Sequence, residues 1–415
     1  MKPNLIQPVQ EKHRNYLTDE SKQEGYADSI SFPECEEDVL TILSSLRDEA
    51  LTCQGANTGL DGLAVPHGGH IMNFSRMNRV LEIGADSEDE GFAVVEPGVT
   101  LSDLSAAIRR TLKKRAFFWP PNPTEVSATI GGIVSTGAYG MSSCHYGATS
   151  RYILSLTYAS RDGQLHRLCR DTAESSQKLN EFLATSPKAG PVTRLTLRLL
   201  PKPEALWGVA FFFDSREEAL ACADELQSFS PVQTDAWVQS MEYLDETSIR
   251  LVENAKETLA KIKSVPPVPD GTKAMIITEI AGNEDAIEDV LTELMEITSG
   301  HGSDPDEAWA LTGESEVDIL HDFRHAAAEA AILHIDRIRR ECPQITRLGA
   351  KAAFPDKSFS EAMQAVYDGL EKERLRAAVY CHIKDSDLEV SLLPENEEDF
   401  RRGTVFLDQV LRNYK

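Results

Sequence analysis

The sequence is poor in paired cysteines and in long apolar runs, and each shortage excludes a class of protein. Its 7 cysteines lie far apart and include no C-x-x-C pair, so they indicate no disulfide framework, thiolate metal site or iron–sulfur cluster. No stretch approaches the roughly 18 consecutive apolar residues that a membrane-spanning helix needs. We therefore expect a cytoplasmic protein with reduced thiols and no membrane span.

Positive charge is scarce as well. The chain has 42 lysines and arginines against 67 aspartates and glutamates, which gives a formal net charge of −25 at pH 7. Binding to nucleic acid or to anionic lipid needs a positive surface that displaces counterions. The charge balance therefore argues against both kinds of partner.

The length of 415 residues exceeds what one hydrophobic core usually serves, so two domains are expected. Up to residue 203, short strands and helices accompany two stretches of small residues. After it, strands alternate with longer helices, a pattern that favours an α+β domain with helices on one face of a sheet. We place the first domain at residues 1–203 and the second at residues 204–415.

Apolar spacing and capping residues predict individual elements of the first domain. Residues 31–50 predict a helix opened by Pro33, and residues 100–114 predict a helix capped by Thr100 or Ser102. Later in the domain, strands are predicted at residues 153–160 and 192–201, around a turn at residues 161–163.

A glycine-rich loop, "QGANTGLDG" at residues 54–62, follows a short apolar strand. Glycine lets the backbone approach an anion such as a phosphate without interference from a Cβ atom. By itself the loop is equally typical of a tight turn, because it has neither the P-loop nor the dinucleotide-binding pattern. A second small-residue stretch, "PPNPTEVSATIGGIVSTGAYG" at residues 120–140, strengthens the first interpretation. Two such loops predict a long cradle for a cofactor with a central pyrophosphate.

Six segments make the first domain recognisable by their order. They are "GANTGLDGLAVPHGG", "SRMNRVLEI", "VEPGVTLSDL", "PPNPTEVSATIGGIVSTGAYG", "YGATSRYILSL" and "RLTLRLLPKP". Together they resemble the FAD-binding domain of the vanillyl-alcohol oxidase type, in the branch that holds D-lactate dehydrogenases and the glycolate oxidase FAD subunit. The resemblance covers residues 31–203 and implies a two-part, α+β FAD-binding domain that holds FAD without a covalent link.

The resemblance also implies which residues hold the cofactor. In the family, the first loop wraps the pyrophosphate, and the second segment runs beside the pyrophosphate, the ribityl chain and the flavin. The corresponding candidates here are Gly55, Ala56, Asn57, Thr58, Gly59, Leu60, Pro121, Thr129, Gly131, Gly132, Ser135, Gly137, Gly140 and Val192.

The second half resembles the substrate-capping domain of the same branch. The segment "FRHAAAEAAI" makes Arg324 the candidate for binding a substrate carboxylate, with an ordinary surface arginine as the alternative. The segment "CHIKDSDLEVSLLPENEEDF" stands where the family shows "GHIGDGNLHVNLLP", so His382 keeps the first histidine and Glu389 replaces the second. The two side chains either retain a divalent metal, or Glu389 pairs with Lys384 and no metal binds. We favour the pairing with Lys384.

The sequence stops at "FLDQVLRNYK", before the family segment "GEHGIG" that completes its metal and base set. We therefore expect a partner chain to cover residues 390–415. The resemblance implies an FAD-dependent subunit that oxidises a small 2-hydroxy acid, such as D-lactate or glycolate, and passes electrons to a partner protein. The alternative is a non-catalytic flavoprotein subunit with a structural or electron-relay role.

Overall fold

The computed structural model of the protein describes residues 5–46, 48–185, 189–232, 235–353, 357–384 and 387–413. The chain divides into two compact units, Met1–Lys202 and Pro203–Lys415. Among the helices of the described residues, none combines the length and the apolar character that a bilayer crossing requires.

Strands and helices alternate along the first unit. Its strands are β1 (Ile6–Pro8), β2 (Ser29–Ser31), β3 (Leu51–Gln54), β4 (His70–Asn73), β5 (Val80–Ala85), β6 (Gly91–Val95), β7 (Phe117–Phe118), β8 (Ile153–Ala159), β9 (Leu165–Cys169) and β10 (Val192–Pro201). Its α-helices are α1 (Glu36–Leu46), α2 (Leu101–Thr111), α3 (Ile130–Thr136), α4 (Ser143–Tyr146) and α5 (Ala173–Ala184), and short 3-10 helices lie at Glu11–Tyr16 and Thr149–Tyr152.

The strands of the first unit form two separate sheets. The first has the order β1-β2-β4-β3, in which β4 runs parallel to both β2 and β3. Helix α1 covers it with a buried apolar stripe that includes Val39, Ile42 and Leu43. The second sheet is antiparallel, with the order β5-β6-β10-β8-β9 and with β7 paired to the end of β10. Two sheets with two cores agree with the predicted two-part domain.

Several predicted elements of this unit are confirmed. The helix predicted at residues 31–50 is present as α1, although it starts at Glu36 and not at Pro33, and the helix predicted at residues 100–114 is α2. Thr100 is its cap, because the Thr100 hydroxyl accepts a hydrogen bond from the backbone N–H of Asp103 at 3.1 Å.

The strands predicted at residues 153–160 and 192–201 are present as β8 and β10, but the prediction missed the two elements that lie between them. The turn at residues 161–163 leads from β8 into β9, and helix α5 then intervenes before β10. A capping box formed by Thr172 and Ser175 starts α5. The sequence signal for this start was weaker than a capping box with Glu or Gln: it consisted of Thr172 as a cap residue and Glu174 in the first turn.

The second unit is built around one antiparallel sheet. Its elements are β11 (Ala205–Phe213), α6 (Arg216–Ser228), β12 (Ala236–Asp245), α7 (Glu246–Ala255), β13 (Ala274–Gly282), α8 (Glu284–Gly300), β14 (Trp309–Thr312), α9 (Glu314–Arg339), β15 (Leu348–Ala353), α10 (Phe359–Lys372), β16 (Ala377–His382), β17 (Asp387–Leu392) and α11 (Glu397–Asn413), with a 3-10 helix at Ala260–Ile262. The strand order is β14-β11-β13-β12-β16-β17-β15.

Helices cover both faces of this sheet, so the expectation of helices on one face was wrong. Neighbouring residues of a strand point to opposite faces. In β12, the Tyr243 ring packs against Phe359 of α10, whereas the next residue back, Glu242, pairs with Arg324 of α9. Helix α9 packs an apolar stripe against one face of the sheet, and charged side chains of the same helix also contact that face. Periodicity alone did not assign α9 to the second face.

Candidate active site

The glycine-rich loop after β3 is held at both ends by side chains of the first sheet. The Gln54 amide donates to the carbonyls of Tyr16 and Ala64, both at 2.8 Å. The Asn73 amide donates to the carbonyl of Gly55 at 3.1 Å. These bonds use side chains of β3 and β4 to fix the path of the loop before any ligand binds.

The two predicted loops meet. The Thr129 hydroxyl caps α3 by accepting from the Gly132 N–H at 3.2 Å. The same hydroxyl lies so close to Gly55 that a Cβ atom on Gly55 would collide with it. The Gly131 N–H donates to the carbonyl of Pro97 at 2.8 Å, which ties α3 to the turn after β6. Segments far apart in sequence therefore lie side by side in the first unit.

The predicted glycines fall into two groups. In the first group, the protein's own chain fills the space of a side chain. A Cβ atom on Gly55 would meet Thr129, one on Gly131 would lie 2.6 Å from the Pro97 Cβ, and one on Gly140 would meet the Asn122 carbonyl. Glycine is required at these positions by packing within the unit.

The second group faces open space. A Cβ atom on Gly59 would have the Asp19 carboxylate, at 3.9 Å, as its one neighbour within 4 Å among the described residues. Gly137, at the left-handed end of α3 with φ of 65°, would meet nothing described within 4 Å. Gly59 and Gly137 therefore leave the backbone accessible to a bound group. Gly132 does not belong to this group, because a Cβ atom there would make a tight contact of 3.1 Å with the Thr129 hydroxyl.

Three buried polar atoms support the same interpretation. Within the described residues, Asn57 Oδ1, Gln54 Oε1 and Trp119 Nε1 are buried without a hydrogen-bond partner. Buried polar groups are nearly always satisfied, so each of these atoms needs an explanation. Asn57 lies in the first loop, with a left-handed φ of 58°, and Trp119 precedes the second segment. A large polar cofactor such as FAD fits beside these atoms.

The remaining cofactor candidates also lie in the first unit. Ala56, Thr58 and Leu60 belong to the first loop, Pro121 is buried next to the residue that packs on Gly140, Ser135 lies in α3, and Val192 is the buried first residue of β10. Contact of any of these residues with FAD stays a prediction.

In the second unit, one carboxylate joins the two predicted catalytic residues. Glu242 of β12 is fully buried. Its Oε2 accepts from Arg324 Nε at 2.8 Å, and its Oε1 pairs with His382 Nδ1. The Arg324 guanidinium also lies over the ring of Tyr380, 4.5 Å from its centroid. Arg324 is only 6% exposed, so the alternative of a surface arginine was wrong.

The expected pair of Glu389 and Lys384 does not form. The Lys384 ammonium donates to the carbonyl of Phe229 at 3.0 Å, after the end of α6. Glu389 lies in β17 and accepts instead from Arg347 at 2.9 Å and from the Tyr380 hydroxyl at 3.2 Å. The prediction was wrong because β17 pairs with β15, which places Glu389 opposite Lys351 and within reach of the Arg347 side chain. Among the residues described, no three His, Cys, Asp or Glu side chains form a group suited to a metal ion.

Neighbouring charged side chains determine the ionisation of the two buried carboxylates, Glu242 and Glu389. Burial raises the pKa of Glu242, but His382 and Arg324 outweigh it and hold the pKa below its usual value. For Glu389, burial likewise acts against ionisation, and Lys351, Arg347 and Arg324 together lower the pKa. Both carboxylates are therefore charged at neutral pH.

A second carboxylate–histidine pair lies on the same face. Glu279 of β13 is fully buried and pairs with His321 of α9, and the Gln239 amide donates to its other oxygen at 3.2 Å. Burial would lower the pKa of His321, but Glu279 and Asp318 outweigh it and raise the pKa to about 10. This pair contacts neither Arg324 nor His382 in any described interaction.

Comparison with known proteins assigns the chain to a family. Residues 27–169 match the family described as "FAD binding domain", and residues 202–410 match "FAD linked oxidases, C-terminal domain". The chain therefore belongs to the FAD-linked oxidases: it is an oxidoreductase whose cofactor is FAD. The resemblance noted in the sequence and the predicted fold class are both confirmed.

Individual relatives include a D-lactate dehydrogenase and a glycolate oxidase subunit. The chain is 26% identical over 399 residues to D-lactate dehydrogenase of Anaerostipes hadrus, covering 90% of this chain and 76% of that protein. It is 25% identical over 356 residues to the glycolate oxidase subunit GlcD of Bacillus subtilis (strain 168), covering 84% and 69%. The structure of p-cresol methylhydroxylase with substrate bound aligns with a TM-score of 0.74 at 14% identity, covering 99% of this chain and 84% of that one, which shows the shared fold.

Proposed function

We propose that the protein oxidises a small 2-hydroxy acid to the corresponding 2-oxo acid and passes the electrons to a partner protein. The observation that supports this most is the convergence of Arg324 and His382 on Glu242. A fixed guanidinium is the group best suited to bind a carboxylate, and an imidazole beside it is suited to take a proton.

The residues of the first unit that would hold FAD are those of the two loops, with Gly59 and Gly137 giving backbone access. When bound, FAD supplies the acceptor for the hydride that leaves the substrate carbon. The protein has to supply the rest: it binds the acid, orients its carbon and removes the hydroxyl proton.

Arg324 and His382 divide that work. The Arg324 Nε is committed to Glu242, so the outer edge of its guanidinium is the part that would bind the substrate carboxylate. As the substrate O–H bond breaks, the proton passes to the His382 imidazole. The C–H bond electrons leave as hydride, and the C–O bond becomes the carbonyl of the 2-oxo acid.

The finer parts of the proposal have their own support. The names of the relatives, a D-lactate dehydrogenase and a glycolate oxidase subunit, favour a short 2-hydroxy acid as substrate. The second is named as a subunit, which favours transfer of electrons to another chain. A net charge of −25 would favour a basic partner by electrostatic steering.

An anaerobic titration tests the substrate class. Purified holoenzyme is mixed with D-lactate or glycolate, and the flavin absorbance is followed. We expect bleaching of the oxidised flavin by at least one of these acids and no bleaching by 2-propanol or ethylene glycol, which keep the alcohol but lack the carboxylate for Arg324. A flavin that stays oxidised with every short 2-hydroxy acid would favour the non-catalytic alternative.

A further inference from the structure

Glu242 lies between the two proposed catalytic residues. Nothing in the sequence around it indicates a role in the site. The carboxylate is completely buried, and each of its oxygens is committed to a different partner. Oε2 accepts from Arg324 Nε at 2.8 Å, and Oε1 pairs with His382 Nδ1. Arg324 comes from helix α9, and His382 lies directly opposite Glu242 in the paired strand β16.

We propose that Glu242 is a positioning residue for the oxidation, which fixes His382 as the tautomer protonated at Nδ1 and fixes the plane of the Arg324 guanidinium. The inference rests on the proposed function. In this arrangement the Glu242 carboxylate has two effects. It makes Nε2 the proton-accepting nitrogen of His382, and it orients the Arg324 guanidinium that binds the substrate carboxylate.

The chemistry of the three groups supports a single arrangement. An ionised carboxylate only accepts hydrogen bonds, so both groups that face it must donate. A neutral imidazole carries its hydrogen on one nitrogen and its lone pair on the other, so a hydrogen on Nδ1 assigns the lone pair to Nε2. The Tyr380 ring, 4.5 Å below the guanidinium, restrains Arg324 from a second direction.

The proton balance of the step leaves Glu242 unchanged. The substrate O–H bond breaks and an N–H bond forms at His382 Nε2, which converts the imidazole to an imidazolium. The hydrogen of the substrate C–H bond leaves with both bonding electrons as hydride, for which bound FAD would be the acceptor. Glu242 stays ionised throughout and stabilises the imidazolium, as a buried carboxylate beside a histidine base does in other enzymes.

The chain offers a matched control in Glu279. This residue is also fully buried, lies on the same face of the sheet in the neighbouring strand, and pairs with a histidine, His321. In the strand register Glu279 is opposite Ser240, two positions from Glu242. Replacing Glu279 removes a carboxylate of the same kind from the same sheet without touching Arg324 or His382.

The variants predict different kinetics in holoenzyme. In Glu242→Gln, the amide can accept from one partner but presents N–H to the other, so one of the two contacts is lost. By anaerobic stopped flow we expect the limiting rate of flavin reduction to fall on the order of 100-fold or more, the scale on which a wrong tautomer acts. The dissociation constant of oxalate, read from the flavin spectrum, should rise as well. Glu242→Asp keeps two acceptors and should recover part of both.

Two results would overturn the role of Glu242. One is a folded Glu242→Gln holoenzyme with the wild-type limiting rate and oxalate affinity. The other is an equal kinetic loss in Glu279→Gln, which would reduce the effect to the loss of any buried carboxylate on this face. We expect Glu279→Gln to lower the melting temperature but to leave the limiting rate within about 3-fold, as expected of a residue outside the reacting groups.

A spectroscopic measurement separates this inference from the proposed function. The ring nitrogens of holoenzyme labelled with [15N]histidine report the tautomer, and His382→Gln assigns the His382 signals. We expect hydrogen on Nδ1 in the wild type and a change in Glu242→Gln. Hydrogen on Nε2 in the wild type would refute the positioning role even if hydroxy acids reduce the flavin. If no acid reduces the flavin, the proposed function fails, and the nitrogen spectrum then decides only whether Glu242 fixes the tautomer of His382.

Discussion

At the scale of single residues, Gly59 gives the clearest test of how the first unit holds FAD. A side chain there would contact little of the protein itself, with the Asp19 carboxylate at 3.9 Å. We therefore expect Gly59→Leu to fold normally but to lose FAD, because the new side chain occupies the space where a bound group approaches the backbone. The measurement is the ratio of flavin to protein absorbance after gel filtration.

The control for this variant is Gly300→Leu, because a Cβ atom at the end of α8 would likewise be uncrowded, with nothing described within 4 Å. It should keep both FAD and melting temperature. Gly131→Leu differs from both, since its side chain would collide with Pro97 and destabilise the unit by roughly 1–3 kcal/mol or more. Full flavin content in folded Gly59→Leu would refute the assignment of this loop.

The residues also show what sequence can and cannot reveal about the site. Arg324 and His382 were found because each lies in a segment that resembles the family. Glu242 was missed, because its partners are 82 and 140 residues away and a single acidic residue in an apolar strand has no local signature. The one available signal was the charge itself, since an ionisable residue within "AWVQSMEYLD" needs a partner if the strand is buried.

At the scale of elements, His70 links two strands of the first sheet. It is completely buried in β4, with Nδ1 2.8 Å from the Ser29 hydroxyl and Nε2 2.7 Å from the Ser31 hydroxyl of β2. Burial lowers the pKa of this histidine from 6.5 to about 4. The histidine is therefore neutral in the folded protein at pH 5, where the unfolded chain would protonate it.

The sign of the resulting pH dependence follows. Above pH 6.5 neither state binds the proton, and the stability is fully present. Between pH 6.5 and pH 4 only the unfolded state binds it, so the free energy of unfolding falls as the pH falls, by roughly 3 kcal/mol in total. The free energy of unfolding can be measured by urea unfolding at several pH values in this range. Its dependence on pH should be weaker in His70→Asn than in the wild type. An equal dependence in the two proteins would contradict the account.

Elements were predicted unevenly, for a physical reason. Helices α1 and α2 have strong apolar periodicity and clear starts, and both were found. Helix α5 has one fully buried apolar residue, Leu179, so its periodic signal is weak, and only Thr172 and Glu174 mark its start in the sequence. The sheet face that α9 covers could not be predicted, because it depends on pairing with Glu242 and Glu279, which lie far away in sequence.

At the scale of the whole molecule, the order of the segments carried more information than any one of them. The glycine-rich loop alone was equally compatible with a turn, whereas six segments in sequence predicted the FAD-binding family that the comparisons confirm. No comparable series of segments indicates a partner protein. Its existence stays a proposal supported by the name of one relative and by the acidic charge of the chain.

The central claim is that Arg324 binds the substrate carboxylate and His382 takes the hydroxyl proton of a reaction completed on FAD. The most direct measurement is anaerobic stopped-flow reduction of the flavin over a range of substrate concentrations, in Arg324→Ala and His382→Gln. We predict that Arg324→Ala raises the dissociation constant for the acid by roughly 10- to 100-fold, the value of a hydrogen-bonded charge pair. His382→Gln should instead lower the limiting rate by roughly 100- to 10,000-fold. Wild-type constants in both variants, with FAD bound and the protein folded, would contradict the account.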